Sequence, residues 1–83
     1  MLSREQFQEA TELRRVRLFL ELRPFDVRAA TGIPESRLSA FETGRRPLSA
    51  SERALLLSFL ADRIAMVEAE VMATGNQRFQ VSG

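Results

Sequence analysis

The chain has 83 residues, too few for a second hydrophobic core, so we expect a single domain. A hydrophobic fraction of 45% and a charged fraction of 28% are typical of a globular protein rather than a disordered one. The absence of cysteine excludes disulfides and thiolate metal sites, and the absence of histidine removes the most common general base. An enzyme, a metal site and a cofactor are therefore not expected.

Basic residues are unevenly distributed, although the formal net charge is only +1. Residues 13–53 carry nine of the twelve arginines against five acids, whereas the segments before and after are each net negative. No basic residue is lysine. The planar guanidinium of arginine suits phosphate and guanine recognition, but a GC-rich genome explains the lack of lysine more simply. The positive charge is thus concentrated in the middle of the chain.

The N-terminal residues indicate neither a secretory signal nor a membrane anchor. Residues 1–12 contain three glutamates and lack the apolar stretch that a signal peptide requires. No segment of the sequence approaches the roughly 20 consecutive apolar residues that a membrane-spanning helix needs. A cytoplasmic location is therefore the expectation from the sequence.

A first helix is predicted to begin at Arg4, because Ser3 and Gln6 have the spacing of a capping box. Apolar residues then recur every three or four positions, as in an amphipathic helix: Phe7, Ala10, Leu13, Val16 and Leu20. We expect this helix to end near residues 20–22, since Pro24 disfavours helical geometry at the residue before it.

Two short helices are predicted to follow. Pro24 suits the first turn of a helix, and Gly32 suits the left-handed residue that ends it after Thr31. The next residues turn the chain into a third helix, over residues 35–41, which ends at residues 43–44. Two short helices joined by a glycine-containing turn form a helix-turn-helix unit.

A long final helix is predicted after a basic loop at residues 45–48. Ser49 and Glu52 form a second capping box at its start. An apolar stripe then continues through Leu56, Leu60, Ile64, Val67 and Val71. The predicted helix covers residues 50–73, about 36 Å at ~1.5 Å per residue, and stops at Gly75. Residues 1–75 then form the domain, and residues 76–83 a flexible tail.

The motifs that carry a family resemblance are Phe25-Asp26-Val27, Thr31-Gly32-Ile33-Pro34, Ser36-Arg37-Leu38-Ser39 and Phe41-Glu42-Thr43-Gly44-Arg45. Together they resemble the phage-repressor and Cro (XRE) family of helix-turn-helix DNA-binding proteins, over roughly residues 13–60. The resemblance implies an all-α bundle of four or five helices, similar to lambda repressor, with an extended C-terminal helix. It also implies a setting in a phage, an integrative element or a toxin–antitoxin operon.

The resemblance places the third helix in the major groove of double-stranded DNA. The residues at or beside the base edges are then Glu35, Ser36, Arg37 and Ala40. Arg37 could bond to guanine O6 and N7 or bind a phosphate, and Ala40 could contact a thymine methyl group. Glu35 could accept from cytosine N4, or it could simply favour the positive end of its own helix. Ser36 is equally ambiguous.

Contacts to the phosphate backbone are implied for the residues after the third helix, namely Thr43, Arg45 and Arg46. The alternative is a solvated basic loop. Pro24 departs from the family pattern because it has no N–H for a phosphate, so Arg23 or the N–H of Phe25 must substitute. Arg28 departs too, since it stands where a small buried alanine is usual. Either the second helix is rotated, or Arg28 extends along its edge toward DNA.

The resemblance also assigns structural roles. Val27, Leu38 and Phe41 are expected to face inward and to fix the angle between the second and third helices. Arg17 on the first helix is expected to pair with Glu42 and so to hold the third helix against the rest of the domain. The alternative is two independent surface charges, worth under ~1 kcal/mol.

Two arrangements are open for the second half of the last helix. It could fold back over the first helix and cover Phe7 and Ala10. It could instead form a dimer interface, which we favour because the core is small and helix-turn-helix proteins bind half-sites about 34 Å apart. The predicted interface residues are Ile64, Met66, Val67, Val71 and Met72.

The function expected from these features is that of a homodimeric, sequence-specific transcriptional repressor or autoregulator at a palindromic operator. Such a protein would be cytoplasmic and associated with the bacterial nucleoid when bound. No small-molecule ligand is expected, because 83 residues leave no room for an effector-binding domain. The alternative is a protein–protein adaptor, such as an antiactivator or antitoxin, which keeps the fold and has lost DNA affinity.

Overall fold

The computed structural model describes the backbone of residues 2–82 and the side chains of residues 2–73. Four helices make up the described chain: α1 (Arg4–Phe19), α2 (Pro24–Thr31), α3 (Glu35–Glu42) and α4 (Ala50–Ser82). No strand occurs within residues 2–82, so the predicted all-α fold is confirmed. No helix in this part of the chain is long and apolar enough to cross a membrane.

Both predicted capping boxes are present. The Gln6 N–H donates to Ser3 Oγ at 3.2 Å, and the Ser3 N–H donates to Gln6 Oε1 at 2.9 Å. At the start of α4 the corresponding bonds between Ser49 and Glu52 measure 3.1 and 2.9 Å. Each box satisfies backbone N–H groups that the first turn of a helix leaves without an intrahelical partner, and so sets where the helix begins.

Glycines in the left-handed region mark the ends of α2 and α3. Gly32, with φ of 80°, follows α2 as predicted. Gly44, with φ of 78°, turns the chain after α3. A Cβ at Gly44 would lie 2.5 Å from Cδ2 of Phe7, so this turn has no room for a side chain unless the Phe7 ring moves. After α1 the chain also passes through the left-handed region at a residue that is not glycine, since Glu21 has φ of 58°.

The core lies where α1, α2, α3 and the first part of α4 meet. Its buried apolar residues are Ala10, Leu22, Val27, Ile33, Leu38, Phe41, Leu56 and Leu60. The prediction that Val27, Leu38 and Phe41 face inward is confirmed, since they are 0%, 0% and 3% exposed. Helix α2 packs against both α3 and α4, and α3 packs against α1. The helix-turn-helix unit is therefore supported from two sides.

Helix α4 is longer than predicted. It runs to Ser82, a length of 33 residues or about 50 Å, and gives the molecule extents of 55 × 26 × 18 Å. The predicted stop at Gly75 was wrong because a glycine within a helix costs only ~1 kcal/mol relative to alanine, and no proline follows it. The flexibility predicted for residues 76–83 lies outside the part of the chain whose side chains are described.

The second half of α4 does not fold back over the start of α1. Arg53 in the first turns of α4 contacts Glu9, with Arg53 Nη2 2.6 Å from Glu9 Oε2, and Ala10 is buried. Phe7, however, is 52% exposed, and every residue from 61 to 73 is exposed. The fold-back arrangement is therefore wrong, because α4 continues straight past α1 without a turn.

Candidate nucleic-acid interface

Helices α2 and α3 are held in a fixed relation by the turn between them. Thr31 Oγ1 donates to the Val27 carbonyl at 2.7 Å and accepts from the Ile33 N–H at 3.2 Å. Ile33 is 1% exposed and belongs to the hydrophobic core. A side chain thus satisfies the backbone where the helix ends, and an apolar anchor follows immediately. This turn directs the N-terminus of α3 outward from a rigid support.

A buried ion pair fastens α3 to α1. Arg17 Nε donates to Glu42 Oε2 at 2.7 Å and Arg17 Nη2 donates to Glu42 Oε1 at 2.9 Å. Arg17 Nη1 donates to the Leu22 carbonyl at 2.8 Å, and the side chains of Arg17 and Glu42 are only 8% and 7% exposed. Two parallel bonds of this kind restrict orientation as well as distance. The predicted pair is present, and it is buried rather than two independent surface charges.

The outer face of α3 carries the residues predicted to contact bases. Glu35, Ser36 and Arg37 are exposed, and Ala40 is half-buried. Ser36, Arg37 and Ala40 line one concavity of about 210 Å³ together with Arg46 and Pro47 of the following loop. The fold therefore brings three of the four predicted base-contacting residues together with one residue predicted to contact the backbone.

Arg37 has a partner that the sequence did not indicate. Its Nη2 donates to Glu52 Oε1 at 2.6 Å, and the two side chains are 46% and 21% exposed. The bond from Arg37, together with the Ser49 N–H at the start of α4, lowers the pKa of Glu52 to about 2. The same bond raises the pKa of Arg37. No local pattern could reveal this contact, because 15 residues separate the partners and Glu52 already has a role in its own capping box.

Arg28 points away from the core. It is exposed, and its Nη1 lies 4.0 Å from Glu35 Oε2. Of the two possibilities left open by the sequence, an arginine along the edge of α2 agrees with this position, since Val27 remains fully buried beside it. Glu35 lies in the first turn of α3, where its charge favours the positive end of the helix dipole. The two side chains lie where α2 and α3 approach each other.

The loop after α3 is tied back to the helix. The N–H groups of Arg45 and Arg46 donate to the Ala40 carbonyl at 2.8 and 3.2 Å, and both side chains are exposed. Thr43 Oγ1 donates to the Ser39 carbonyl at 2.8 Å, so its hydroxyl proton is already engaged within the helix. The loop backbone is therefore ordered, whereas the two guanidinium groups project from it.

Arg23 does not line the concavity on α3. Its side chain is 78% exposed, with Nε 3.6 Å from Asp26 Oδ2. The Arg23 N–H donates to the same carboxylate at 2.7 Å, and this bond is the main reason that the pKa of Asp26 is lowered. These contacts hold Arg23 against the first turn of α2.

A second surface, the α4 groove, lies between the end of α1 and the exposed part of α4. It has a volume of about 380 Å³ and is lined by Phe19, Leu20, Ile64, Val67, Glu68, Val71 and Met72. Four of the five predicted dimer residues line it, while Met66 lies outside and is 54% exposed. Phe19, 79% exposed, was missed because the apolar stripe of α1 does not include it.

Comparison of the chain with models of protein families, with curated proteins and with solved structures returns no match.

Proposed function

We propose that the chain is a sequence-specific, double-stranded DNA-binding transcriptional regulator of the XRE type, which acts as a homodimeric repressor or autoregulator at a palindromic operator. The observation that carries the proposal is the concavity on α3, where Ser36, Arg37 and Ala40 meet Arg46 of the next loop. A braced helix with a polar outer face, followed by projecting arginines, has the form that major-groove recognition requires.

The chemistry of this surface divides into two kinds of contact. Arg37 would pair with guanine O6 and N7, and Ala40 would contact a thymine methyl group. Ser36 and Glu35 would add hydrogen bonds to neighbouring base edges. These contacts select the sequence, whereas the backbone contacts described next set position and affinity.

Phosphate contacts would come from the arginines that surround α3. Arg45 and Arg46 project from the loop after the helix, Arg28 lies beside its first turn, and Thr43 lies at its end. Arg23, at the start of α2, would contact a phosphate farther along the backbone. Since Glu35 and Glu52 offset part of this positive charge, we expect a moderate affinity for random DNA that falls steeply as salt rises.

Dimerisation would place two copies of α3 on successive half-sites about 34 Å apart. The α4 groove supports it: Ile64, Val67, Val71 and Met72 are between 37% and 69% exposed, and no described side chain covers them. Together with Phe19 they form one contiguous apolar surface. Such a surface indicates an interaction site, whereas apolar residues scattered singly over a surface do not. Met66 is exposed as well, but it does not line this groove.

The test of the proposal is equilibrium binding to duplexes selected by the chain from a random-sequence pool, measured by fluorescence anisotropy at several salt concentrations. We expect a palindromic consensus that binds at least about a thousandfold more tightly than random DNA. Arg37→Ala should abolish this preference with little change in thermal stability, because the side chain lies on the surface. Arg15→Ala, an exposed arginine of α1, is the matched control and should retain the preference. Failure to select any sequence would refute the proposal.

The second candidate function is a protein–protein adaptor, such as an antiactivator or antitoxin. The exposed apolar α4 groove favours it, as does the ion pair of Arg37 with Glu52, which occupies part of the guanidinium. The two functions differ in solution. An adaptor should co-purify with a stoichiometric partner of different sequence, and its binding to DNA should be absent or independent of sequence.

A further inference from the structure

We infer that Glu52 is a positioning residue for base recognition, which holds the Arg37 side chain in the orientation that guanine requires. The inference rests on the proposed DNA-binding function and adds a specificity-determining residue from a different helix. Its basis is the arrangement of three groups at the junction of α3 and α4: the capping box of α4, the Glu52 carboxylate and the Arg37 guanidinium.

The Glu52 carboxylate is held by bonds that do not involve Arg37. The Ser49 N–H donates to Glu52 Oε1 at 2.9 Å, and the Glu52 N–H donates to Ser49 Oγ at 3.1 Å. These reciprocal bonds belong to the helix start and do not involve α3. The carboxylate therefore has a hold on its position that is independent of Arg37, and bonding to it restricts the rotation of the Arg37 side chain.

The contact leaves Arg37 able to recognise a base. Only Nη2 of Arg37 bonds to Glu52, at 2.6 Å. A guanidinium has two edges that each present a pair of parallel N–H groups, and one N–H of Nη2 belongs to only one of them. The other edge stays complete for the two bonds to guanine O6 and N7. Because Arg37 and Arg46 line the same concavity, the Arg37 side chain lies at the proposed DNA surface.

A fixed arginine favours selectivity more than affinity. The Arg37 side chain already has restricted conformational freedom in the folded chain. Less conformational entropy is therefore lost when it binds the correct base. The carboxylate also repels phosphates near Arg37, which disfavours a non-specific contact by this side chain. Glu52 should therefore raise the ratio of specific to random DNA binding while lowering affinity for random DNA.

The test compares the wild-type chain with Glu52→Gln, Arg37→Ala and the double variant. Glutamine also serves at this position of a capping box, so the start of α4 should remain intact. Asp62→Asn removes an exposed acid elsewhere on α4 and controls for charge alone. The probes are the duplex selected by the wild-type chain, a version with its guanines replaced, and a random duplex.

We expect Glu52→Gln to lower the preference for the selected duplex by about fivefold or more, while affinity for random DNA rises. In the Arg37→Ala background the same change should have no further effect on the preference, and Asp62→Asn should leave the preference unchanged. An unchanged or increased preference in Glu52→Gln would overturn the inference and leave the proposed function standing. Lack of any preference in the wild-type chain would overturn the proposed function, and this inference with it.

Discussion

Two parts of the molecule differ in how their side chains are held. The helical head, residues 2–60, contains all eight buried apolar residues found within residues 2–73. The α4 arm, residues 61–73, contains no buried side chain. The helix continues unchanged from one part into the other, so backbone regularity does not reveal the difference. The head can be stabilised by its own packing, whereas the apolar side chains of the arm stay exposed to water.

Polar contacts follow the same division. The head holds the buried pair of Arg17 and Glu42. It also contains two exposed ion pairs between helices, Arg37 with Glu52 and Arg53 with Glu9. In the arm, Arg63 lies 5.5 Å from the centre of the Phe59 ring one turn earlier on the same helix. The contacts of the head link separate helices, and loss of the buried pair among them should affect folding. Substitutions in the arm should affect association alone.

The largest expected effect is on the buried ion pair of the head. Glu42→Ala leaves the Arg17 guanidinium buried without its carboxylate, and we expect the free energy of unfolding to fall by about 3–5 kcal/mol. In a domain of this size that corresponds to a decrease in Tm of roughly 12 °C or more. The measurement is thermal and urea denaturation followed by circular dichroism.

A double variant distinguishes loss of the ion pair itself from the cost of leaving one charge buried without its partner. Arg17→Met with Glu42→Leu removes both charges and should recover most of the stability, because well-packed apolar residues often replace a buried ion pair without loss. If Glu42→Ala alone costs less than ~1 kcal/mol, the pair behaves as a surface contact and the account of the head is wrong.

The next effect tests the arm. Val67→Glu places a charge in the α4 groove, and we expect it to weaken homodimerisation by at least about a hundredfold, since the charge would be buried without a partner. Operator affinity should fall with it, whereas the unfolding of the head in dilute solution should not change. Sedimentation equilibrium measures the association.

Ala69→Glu is the matched control for the arm. Ala69 is also exposed, but lies about 200° around the helix from Val67 and does not line the groove. Its substitution should leave association intact. A wild-type chain that sediments as a monomer at tens of micromolar would contradict the dimer, as would equal weakening by the two variants.

The head was also the more predictable part from sequence. Ser3, Gly32 and Ser49 carry signals within a few residues of the structures they start or end, because caps and left-handed turns are local. The pairing of Arg17 with Glu42 came from the family resemblance, since no local pattern links residues 25 positions apart. All three kinds of feature belong to the head.

Features that depend on the path of α4 were not predictable. The arm passes the end of α1, and only that path makes Phe19 part of the α4 groove. Likewise the contact between Glu52 and Arg37 exists because α4 begins beside α3. The end of α4 was not predictable because a single glycine such as Gly75, with no proline after it, is a weak signal for the end of a helix.

A smaller effect is expected at the two turn glycines of the head. Alanine at either position would be strained by about 1–2 kcal/mol, because Gly32 and Gly44 both have positive φ. At Gly32 there is open space around the new Cβ, whereas at Gly44 it would meet the Phe7 ring. We therefore expect Gly44→Ala to be the more destabilising, and Phe7→Ala to remove the excess in the double variant. Equal effects of the two alanines, measured by urea denaturation, would show that the Phe7 ring simply moves away.

The smallest effect concerns acid pH, and it should be confined to the head. Three of its carboxylates have a lowered pKa: Glu9 through Arg53, Asp26 through the Arg23 N–H, and Glu52 through Arg37, the last to about 2. Between the folded and unfolded pKa values the unfolded chain binds more protons, so acid favours unfolding. Stability from these groups is complete above about pH 4.5 and is lost as the pH falls toward 2.

We therefore expect a Tm that is constant from pH 7 to about 5 and then declines, with a shallower decline in Glu52→Gln. A parallel decline in Glu52→Gln and wild type would show that the contact of Glu52 with Arg37 does not persist in solution, and the positioning role inferred for Glu52 would lose its basis. Asp62→Asn, in the arm, should follow the wild-type curve. If it flattened the curve as much as Glu52→Gln does, acid sensitivity would not belong to the helix-to-helix contacts that distinguish the head from the arm.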